Sequence, residues 1–168
     1  MKVSSTLSLY MPLIIWWSCR RITSTMQKSI ICVKGSSQTG KTPSIRDVYS
    51  LIAPKEEQMQ NTQFLQDGYD INCHTKYKGV QVGFYTCGHP GCSQYEEVSK
   101  HIQDVCEIVI CSCWNWGQTK KGIERAAREY GFGLIFTSTY KSPTASLDFM
   151  RKHFVAALIN LIDSCLDQ

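Results

Sequence analysis

Short apolar runs alternate along the chain with stretches of helical periodicity. Near-continuous apolar runs are found at 29–34, 106–111 and 132–137. Stripes of apolar residues three and four apart are found at 45–52, 93–105, 119–130 and 144–162. The first pattern is typical of buried parallel strands and the second of helices that cover a sheet. The order therefore predicts an α/β fold, a three-layer α/β/α arrangement around a mostly parallel sheet.

Between the first and second helical stripes, the pattern is less regular. Residues 54–67 are polar and lack periodicity, which predicts a loop or an irregular excursion. Residues 69–73 and 79–85 have strand patterns and are joined by a short polar link. That link admits a hairpin, in which the first strand runs antiparallel to the second.

Three polar residues are predicted to begin helices. Ser93, followed by Glu96, forms a capping-box pattern. Thr119 is a candidate N-cap for the next helix, and Thr144 for the last one.

A glycine-rich segment directly follows the first apolar run and precedes the first helical stripe. It matches the pattern G-x-x-x-x-G-K-S/T and consists of Gly35, Ser36, Ser37, Gln38, Thr39, Gly40, Lys41 and Thr42. In such a loop, successive backbone N–H groups and the following helix N-terminus converge on a phosphate group. Gly35 and Gly40 would supply the backbone freedom and close approach that a Cβ would block.

The last two residues of the segment have predicted chemical roles. Lys41 would reach the β- and γ-phosphates as the catalytic cation, and the Thr42 hydroxyl would bind Mg²⁺. The alternative is a glycine-rich turn that only caps a helix. That alternative leaves the consecutive glycine, lysine and threonine unexplained.

With this segment placed between a strand and a helix, the chain resembles the P-loop NTPase superfamily, which includes small nucleotide and metabolite kinases. It also resembles small bacterial P-loop proteins that begin at this strand. The architectural resemblance covers residues 28–166, but only residues 35–42 are specific. It implies binding of ATP, in preference to GTP, with Mg²⁺, and hydrolysis or transfer of the terminal phosphate to a small-molecule or protein acceptor. The alternative is a nucleotide-dependent regulatory module with little or no turnover.

The chain departs from the superfamily in one respect, because an acidic residue that holds Mg²⁺ usually ends a second apolar strand. Here the two candidate strands are followed by residues 111–113, Cys-Ser-Cys, and by residues 86–91, which contain His89 but no carboxylate. Neutral imidazole is a poor ligand for Mg²⁺, which prefers oxygen. Asp47, Asp67 and Asp70 are candidate replacements, and the sequence does not rank them.

Two further groups of side chains have alternative interpretations. Trp114 and Trp116 follow the 106–111 strand, where they would either stack on a base or pack within the loop. The third helical stripe carries a polar face with the basic residues Lys120, Lys121, Arg125 and Arg128. These residues either contact a transferring phosphoryl group or form a solvated face with ion pairs such as Glu124–Arg128.

Composition narrows the classes of function. The 168 residues fit one domain, and a net charge of +4 suits an anionic ligand but provides no basic tract for a dedicated nucleic-acid site. The nine cysteines include no C-x-x-C pair, which argues against a zinc site. Because a nucleotide site implies a cytoplasmic protein, the cysteines are expected to be reduced, buried thiols.

Residues 1–25 differ from the rest of the chain. Their apolar patch at 7–17 is shorter than a transmembrane helix requires, so no membrane span is expected. Arg20 and Arg21 follow the patch without a typical signal cleavage site. Since Met26 opens the segment leading into the first strand, we expect residues 1–25 to be an extension and residues 26–168 to form the nucleotide-binding domain.

Overall fold

The computed structural model describes residues 27–61, 63–65, 70–87 and 91–167. The predicted extension at 1–25, Asp67 and His89 lie outside these residues. In chain order, the elements are β1 (Ser29–Lys34), α1 (Lys41–Ile52), α2 (Lys55–Asn61), β2 (Gln63–Leu65), β3 (Asp70–Tyr77), β4 (Val80–Tyr85), α3 (Gln94–Gln103), β5 (Ile108–Cys113), α4 (Gln118–Tyr130), β6 (Gly133–Ser138) and α5 (Leu147–Leu166). Within this part of the chain, no helix is long and apolar enough to cross a membrane.

The strands form one mixed sheet in the order β2-β3-β4-β5-β1-β6. Strands β4, β5, β1 and β6 are parallel, whereas β3 is antiparallel to both of its neighbours. The prediction of an α/β protein with a mostly parallel sheet is confirmed at this level. The predicted hairpin is also confirmed, since β3 and β4 are joined by a tight turn at Lys78 and Gly79, both of which have positive φ.

The apolar residues of the central strands alternate between two cores. In β1, Ile31 and Val33 pack with α1 and α5, whereas Ile30 and Cys32 pack with α3 and α4. A strand covered on both faces needs apolar residues at successive positions, because neighbouring side chains point to opposite sides. The near-continuous apolar run in β1 thus reflects helices on both faces of the sheet.

The predicted irregular segment at 54–67 is wrong in part, since it contains α2 and β2. Helix α2 is only 7 residues long, with Glu56 and Glu57 in its first turn. Negative charges in the first turn stabilise a helix through its dipole, and this effect does not depend on an apolar stripe. Strand β2 has 3 residues and pairs with β3 alone, so it is too short to produce a clear alternating pattern.

Three predicted helix caps also require correction. Ser93 occupies the N-cap position of α3, but its side chain makes no capping hydrogen bond. Thr119 lies inside α4, and its Oγ1 accepts from the backbone N–H of Trp114 at 3.4 Å. Helix α5 is capped by Ser146, whose Oγ accepts from the Phe149 N–H at 3.2 Å, instead of by Thr144.

The cysteines are mostly, but not all, the buried thiols that the sequence predicted. Free thiols are buried at six positions, namely Cys32, Cys73, Cys106, Cys111, Cys113 and Cys165. Burial raises the pKa of Cys73 and of Cys106 to about 12, which keeps both thiols protonated at neutral pH. Cys87 and Cys92, by contrast, are joined in a disulfide, so the expectation of unpaired thiols is wrong for this pair.

A buried histidine on α3 is expected to make stability pH-dependent. His101 is only 5% exposed, and its Nε2 has no hydrogen-bond partner among the described residues. Burial, with a smaller contribution from His74, lowers the pKa of His101 from 6.5 to about 4, although Glu97 and Asp104 act in the opposite direction. The unfolded chain therefore binds a proton at a higher pH than the folded protein does.

We expect the His101 contribution to stability to be complete above about pH 6.5 and to be lost progressively as the pH falls towards 4. Between pH 7 and pH 5 this linkage lowers the free energy of unfolding by about 1–2 kcal/mol. Urea unfolding of the wild type, His101→Gln and the control His153→Gln, which alters an exposed residue, measures this change. An unaltered pH slope in His101→Gln would contradict it.

Candidate functional site

The segment 35–42, here called the 35–42 loop, leaves the carboxyl end of β1, which lies between β5 and the edge strand β6. From β1 the chain continues through α1 and α2 to β2 and β3, beyond β5, whereas from β5 it continues through α4 to β6, on the other side of β1. Helices α1 and α4 cover opposite faces of the sheet, and connections of this kind leave a crevice at the carboxyl ends of the two strands, where α/β proteins bind ligands. The 35–42 loop lies at this crevice.

The two glycines of the loop are required for different reasons. Gly40 has a φ of 80°, in the left-handed region that favours glycine. A Cβ on Gly35 would lie 2.5 Å from Thr39 Oγ1, so this position needs the close approach that glycine permits. Thr39 in turn donates to the carbonyl oxygen of Ser36 at 3.0 Å, which closes the loop on itself. The predicted reasons for both glycines agree with these contacts.

Helix α1 begins at the end of the loop and leaves backbone donors free. Its first hydrogen bond runs from the Ser44 N–H to the Gly40 carbonyl oxygen at 3.1 Å. The N–H groups of Lys41 and Thr42 therefore have no intrahelical acceptor, and Pro43 has no N–H to satisfy. Free donors at the positive end of a helix dipole attract an anion.

Lys41 is a buried cation whose hydrogen-bond partners, among the described residues, are backbone oxygens. Its side chain is 8% exposed, and Nζ donates to the carbonyl oxygens of Gly35 at 3.0 Å and Ser36 at 2.6 Å. Within the described residues, no carboxylate lies within ion-pair distance of Lys41. Burial lowers the pKa of Lys41, and the nearby Lys141 lowers it further. An anion beside Nζ would compensate this buried positive charge.

Thr42 begins a network of oxygen atoms beside the loop. Its Oγ1 donates to Asp70 Oδ1 at 3.1 Å, and Thr86 Oγ1 donates to the same carboxylate oxygen at 2.9 Å. Ser112, at the end of β5, donates to the Thr86 carbonyl oxygen at 2.6 Å. Asp70 is the first residue of β3, and the reversed direction of this strand puts it at the edge where the parallel strands end.

A cavity of 220 Å³ is formed by this network and the loop. Its lining residues are Ser37, Gln38, Lys41, Thr42, Asp70, Thr86, Ser112 and Trp114. These side chains are predominantly polar, and they include one cation and one carboxylate. The cavity has room for part of a phosphate chain and a hydrated cation, but is small for a whole nucleotide.

A second cavity of 780 Å³ lies on the other side of the loop. It shares Ser37 and Gln38 with the smaller cavity and extends to α5. Apolar or aromatic residues in its lining are Pro43, Tyr140, Leu147, Met150 and Phe154, and charged residues are Lys141, Asp148 and Arg151. This volume is in the range of cavities that bind organic ligands of nucleotide size.

The other predicted candidates lie away from the network or pack with neighbours. Asp47, on α1, forms an ion pair with Arg151 at 3.0 Å and lines neither cavity. Trp114 and Trp116 pack edge to face, with ring centroids 6.4 Å apart. Although Trp114 borders the smaller cavity, that volume cannot hold a base stacked on its ring together with a phosphate chain.

The basic residues of α4 form the solvated face that the sequence allowed as one alternative. Lys120 pairs with Glu124 at 3.3 Å, and Arg125 pairs with Glu129 at 2.8 Å. Glu124 thus pairs with Lys120 instead of the expected Arg128. None of the four predicted basic residues lines either cavity.

Several residues of the site were missed by sequence reasoning. Thr86 directly follows β4 and Ser112 is the penultimate residue of β5, but a single hydroxyl residue at such a position is too common to be informative. Asp148 and Arg151 enter through the placement of α5, and Lys141 through the segment between β6 and α5, which no local pattern reveals. Asp70 was an unranked candidate, and ranking it required the order of the strands in the sheet as well as the predicted hairpin.

Comparison with known proteins leaves the classification open. The sequence matches no protein-family model, and neither curated proteins nor solved structures include a match. Groups of three or more histidine, cysteine, aspartate or glutamate side chains placed to hold a metal ion are absent from the part of the chain that the structure describes.

Proposed function

We propose that this protein binds a nucleoside triphosphate through the 35–42 loop and, with Mg²⁺ bound by Thr42, hydrolyses it or transfers its terminal phosphate to a small acceptor. The observation that carries the proposal is Lys41, a buried cation whose described partners are two loop carbonyl oxygens. A buried charge without a counter-ion is costly, and a polyanion would supply that counter-ion.

The two cavities suggest how the ligand is oriented. The phosphate chain would lie in the 220 Å³ cavity, beside Lys41 and the free N–H groups of α1. The nucleoside would occupy the 780 Å³ cavity, where Tyr140 provides aromatic surface and packs edge to face on the buried Phe154, with ring centroids 5.3 Å apart. Because the cavities meet at Ser37 and Gln38, a single extended ligand would pass over the loop.

A three-layer α/β domain of the P-loop type is the finer fold that this proposal requires. The position of β1 between two parallel strands and the helix that begins at Lys41 support it. The preference for ATP over GTP, a small-molecule or protein acceptor and a cytoplasmic location remain predictions from the sequence.

A regulatory module with little turnover is the second candidate function. The observation that favours it is that neither β4 nor β5 leads into a carboxylate. Strand β4 is followed by Thr86, and β5 ends at Cys113. Phosphoryl transfer depends almost wholly on positioning and charge stabilisation, so a weak metal site would slow it. Phosphate release under saturating nucleotide and Mg²⁺ distinguishes the two functions.

Calorimetric titration of ATP, GTP and AMP into the wild type, with Mg²⁺ or with EDTA, tests nucleotide binding itself. We expect a triphosphate to bind at least about ten-fold more tightly than AMP, because charge-assisted hydrogen bonds from Lys41 and the loop contribute about 1.5–3 kcal/mol each. Absence of binding by both triphosphates under both conditions would contradict the proposal.

A further inference from the structure

We infer that Asp70 supplies the carboxylate that holds Mg²⁺ in the proposed nucleotide site, in place of an acid at the end of a parallel strand. The inference rests on the proposed function and adds one residue to it. Asp70 is the first residue of β3, which runs antiparallel to β4. It therefore lies at the edge of the sheet where the parallel strands end.

The oxygen atoms of Thr42 and Asp70 are separated as two ligands of one Mg²⁺ ion would be. Octahedral Mg²⁺ holds oxygen at about 2.0–2.1 Å, which places adjacent ligands about 3 Å apart. Thr42 Oγ1 and Asp70 Oδ1 are 3.1 Å apart. Since Thr42 donates its proton to Asp70, the lone pairs of its oxygen remain available to a cation.

Buried groups from three strands hold the Asp70 carboxylate in place. Thr86 Oγ1 accepts from the Ile71 N–H at 2.8 Å, so its own proton is directed to Asp70 Oδ1. The Thr86 carbonyl oxygen accepts from Ser112, and both of these residues are completely buried. No described residue donates a hydrogen bond to Oδ2, which leaves that oxygen for a water ligand of the cation that Oδ1 would bind.

The negative charge of Asp70 should make its effect on nucleotide binding depend on the presence of a divalent cation. Lys41 and Asp70 line the same cavity, so a phosphate chain attracted by the lysine also approaches the carboxylate. Without a cation, these negative charges repel each other, and with a divalent cation between them the interaction becomes favourable. Asp70 should therefore oppose nucleotide binding in EDTA and promote it in Mg²⁺.

The other described candidate, Asp47, lacks these features. Its side chain is 44% exposed and pairs with Arg151, and it borders neither cavity. Asp47→Asn removes the same charge from a nearby position on α1 and serves as the matched control.

The test is calorimetric titration of ATP, with GTP in parallel, into the wild type, Asp70→Asn and Asp47→Asn, each in Mg²⁺ and in EDTA. The asparagine at position 70 keeps an oxygen that accepts from Thr42 and Thr86, and thermal unfolding checks that the fold is retained. In Mg²⁺ we expect Asp70→Asn to weaken binding about 10- to 100-fold, as loss of a group that holds a metal commonly does. In EDTA it should bind as tightly as the wild type or more tightly.

Each contrary outcome has a separate meaning. If Mg²⁺ strengthens binding equally in the wild type and Asp70→Asn, the role of Asp70 is overturned and the proposed function stands. If Asp70→Asn is weaker by the same factor in Mg²⁺ and EDTA, Asp70 only shapes the loop, and the inference fails. If the wild type binds neither nucleotide in either condition, both the proposed function and the inference fail. A loss of the Mg²⁺ effect in Asp47→Asn alone would assign the role to Asp47 instead.

Discussion

Replacing Lys41 with methionine is expected to weaken ATP binding by at least about 100-fold while leaving the fold intact. Methionine keeps an apolar stem in the buried space but removes the ammonium group that donates to Gly35 and Ser36. Truncating a buried, hydrogen-bonded charge at a binding site commonly costs about 2–5 kcal/mol. At about 1.4 kcal/mol for each ten-fold change, 3 kcal/mol corresponds to roughly 100-fold.

The stability of the Lys41→Met variant separates the role of the charge from a packing role. Because no described carboxylate pairs with Lys41, removing the ammonium group leaves no described carboxylate without an ion-pair partner. We therefore expect the free energy of unfolding to stay constant or rise. Calorimetric titration and urea unfolding provide the two measurements, with Lys120→Met as a control for a partly exposed lysine outside both cavities. Unchanged ATP affinity in Lys41→Met would contradict a phosphate-binding loop.

The Phe84→Ala substitution is expected to lower the free energy of unfolding by about 3–5 kcal/mol. Phe84 lies in β4, is completely buried, and packs edge to face on Tyr49 of α1, with ring centroids 5.3 Å apart. Its removal leaves a cavity between the sheet and α1 that neighbouring elements fill only partly. Since small domains are stable by about 5–15 kcal/mol, this single change would remove a substantial fraction of the stability.

An exposed phenylalanine offers a matched control for that change. Phe149, on α5, is 54% exposed, and Phe149→Ala should alter stability by no more than about 0.5 kcal/mol. Urea unfolding of both variants, with the midpoint and slope compared to the wild type, measures the difference. A loss below about 1 kcal/mol for Phe84→Ala would show that the β4 core is not packed against α1 as described.

The sequence predicted the main elements because their patterns are local. Each of these elements is buried on one or both faces along its length, and its apolar residues follow that burial. This holds for the strands β1 and β5 and for the helices α1, α3 and α4. Prediction was less accurate where contacts with neighbouring elements outweigh the conformational preference of the local sequence. The Ser93 hydroxyl makes no cap hydrogen bond, and α2 forms without an apolar stripe.

The choice between Asp47 and Asp70 shows most clearly what the sequence could not predict. Asp47, only five residues beyond Thr42, is closer to the loop along the chain than Asp70, yet the carboxylate in hydrogen-bond contact with Thr42 is that of Asp70. Pairing of β3 with β4 brings these residues together across 28 positions of sequence. The hairpin predicted the reversal of β3, but the sequence did not predict which strands flank β1.

By itself, the sequence determined the residues of the 35–42 loop, their position between a strand and a helix, and the alternation of elements that makes an α/β protein. These properties depend on backbone conformation and burial over a few consecutive residues. Tertiary structure alone decided that β5 and β6 flank β1, that Lys41 is buried without a described carboxylate partner, and that Asp70, Thr86 and Ser112 converge beside Thr42. Such contacts join residues far apart in sequence, so they follow from the order and direction of whole strands, which no local pattern encodes.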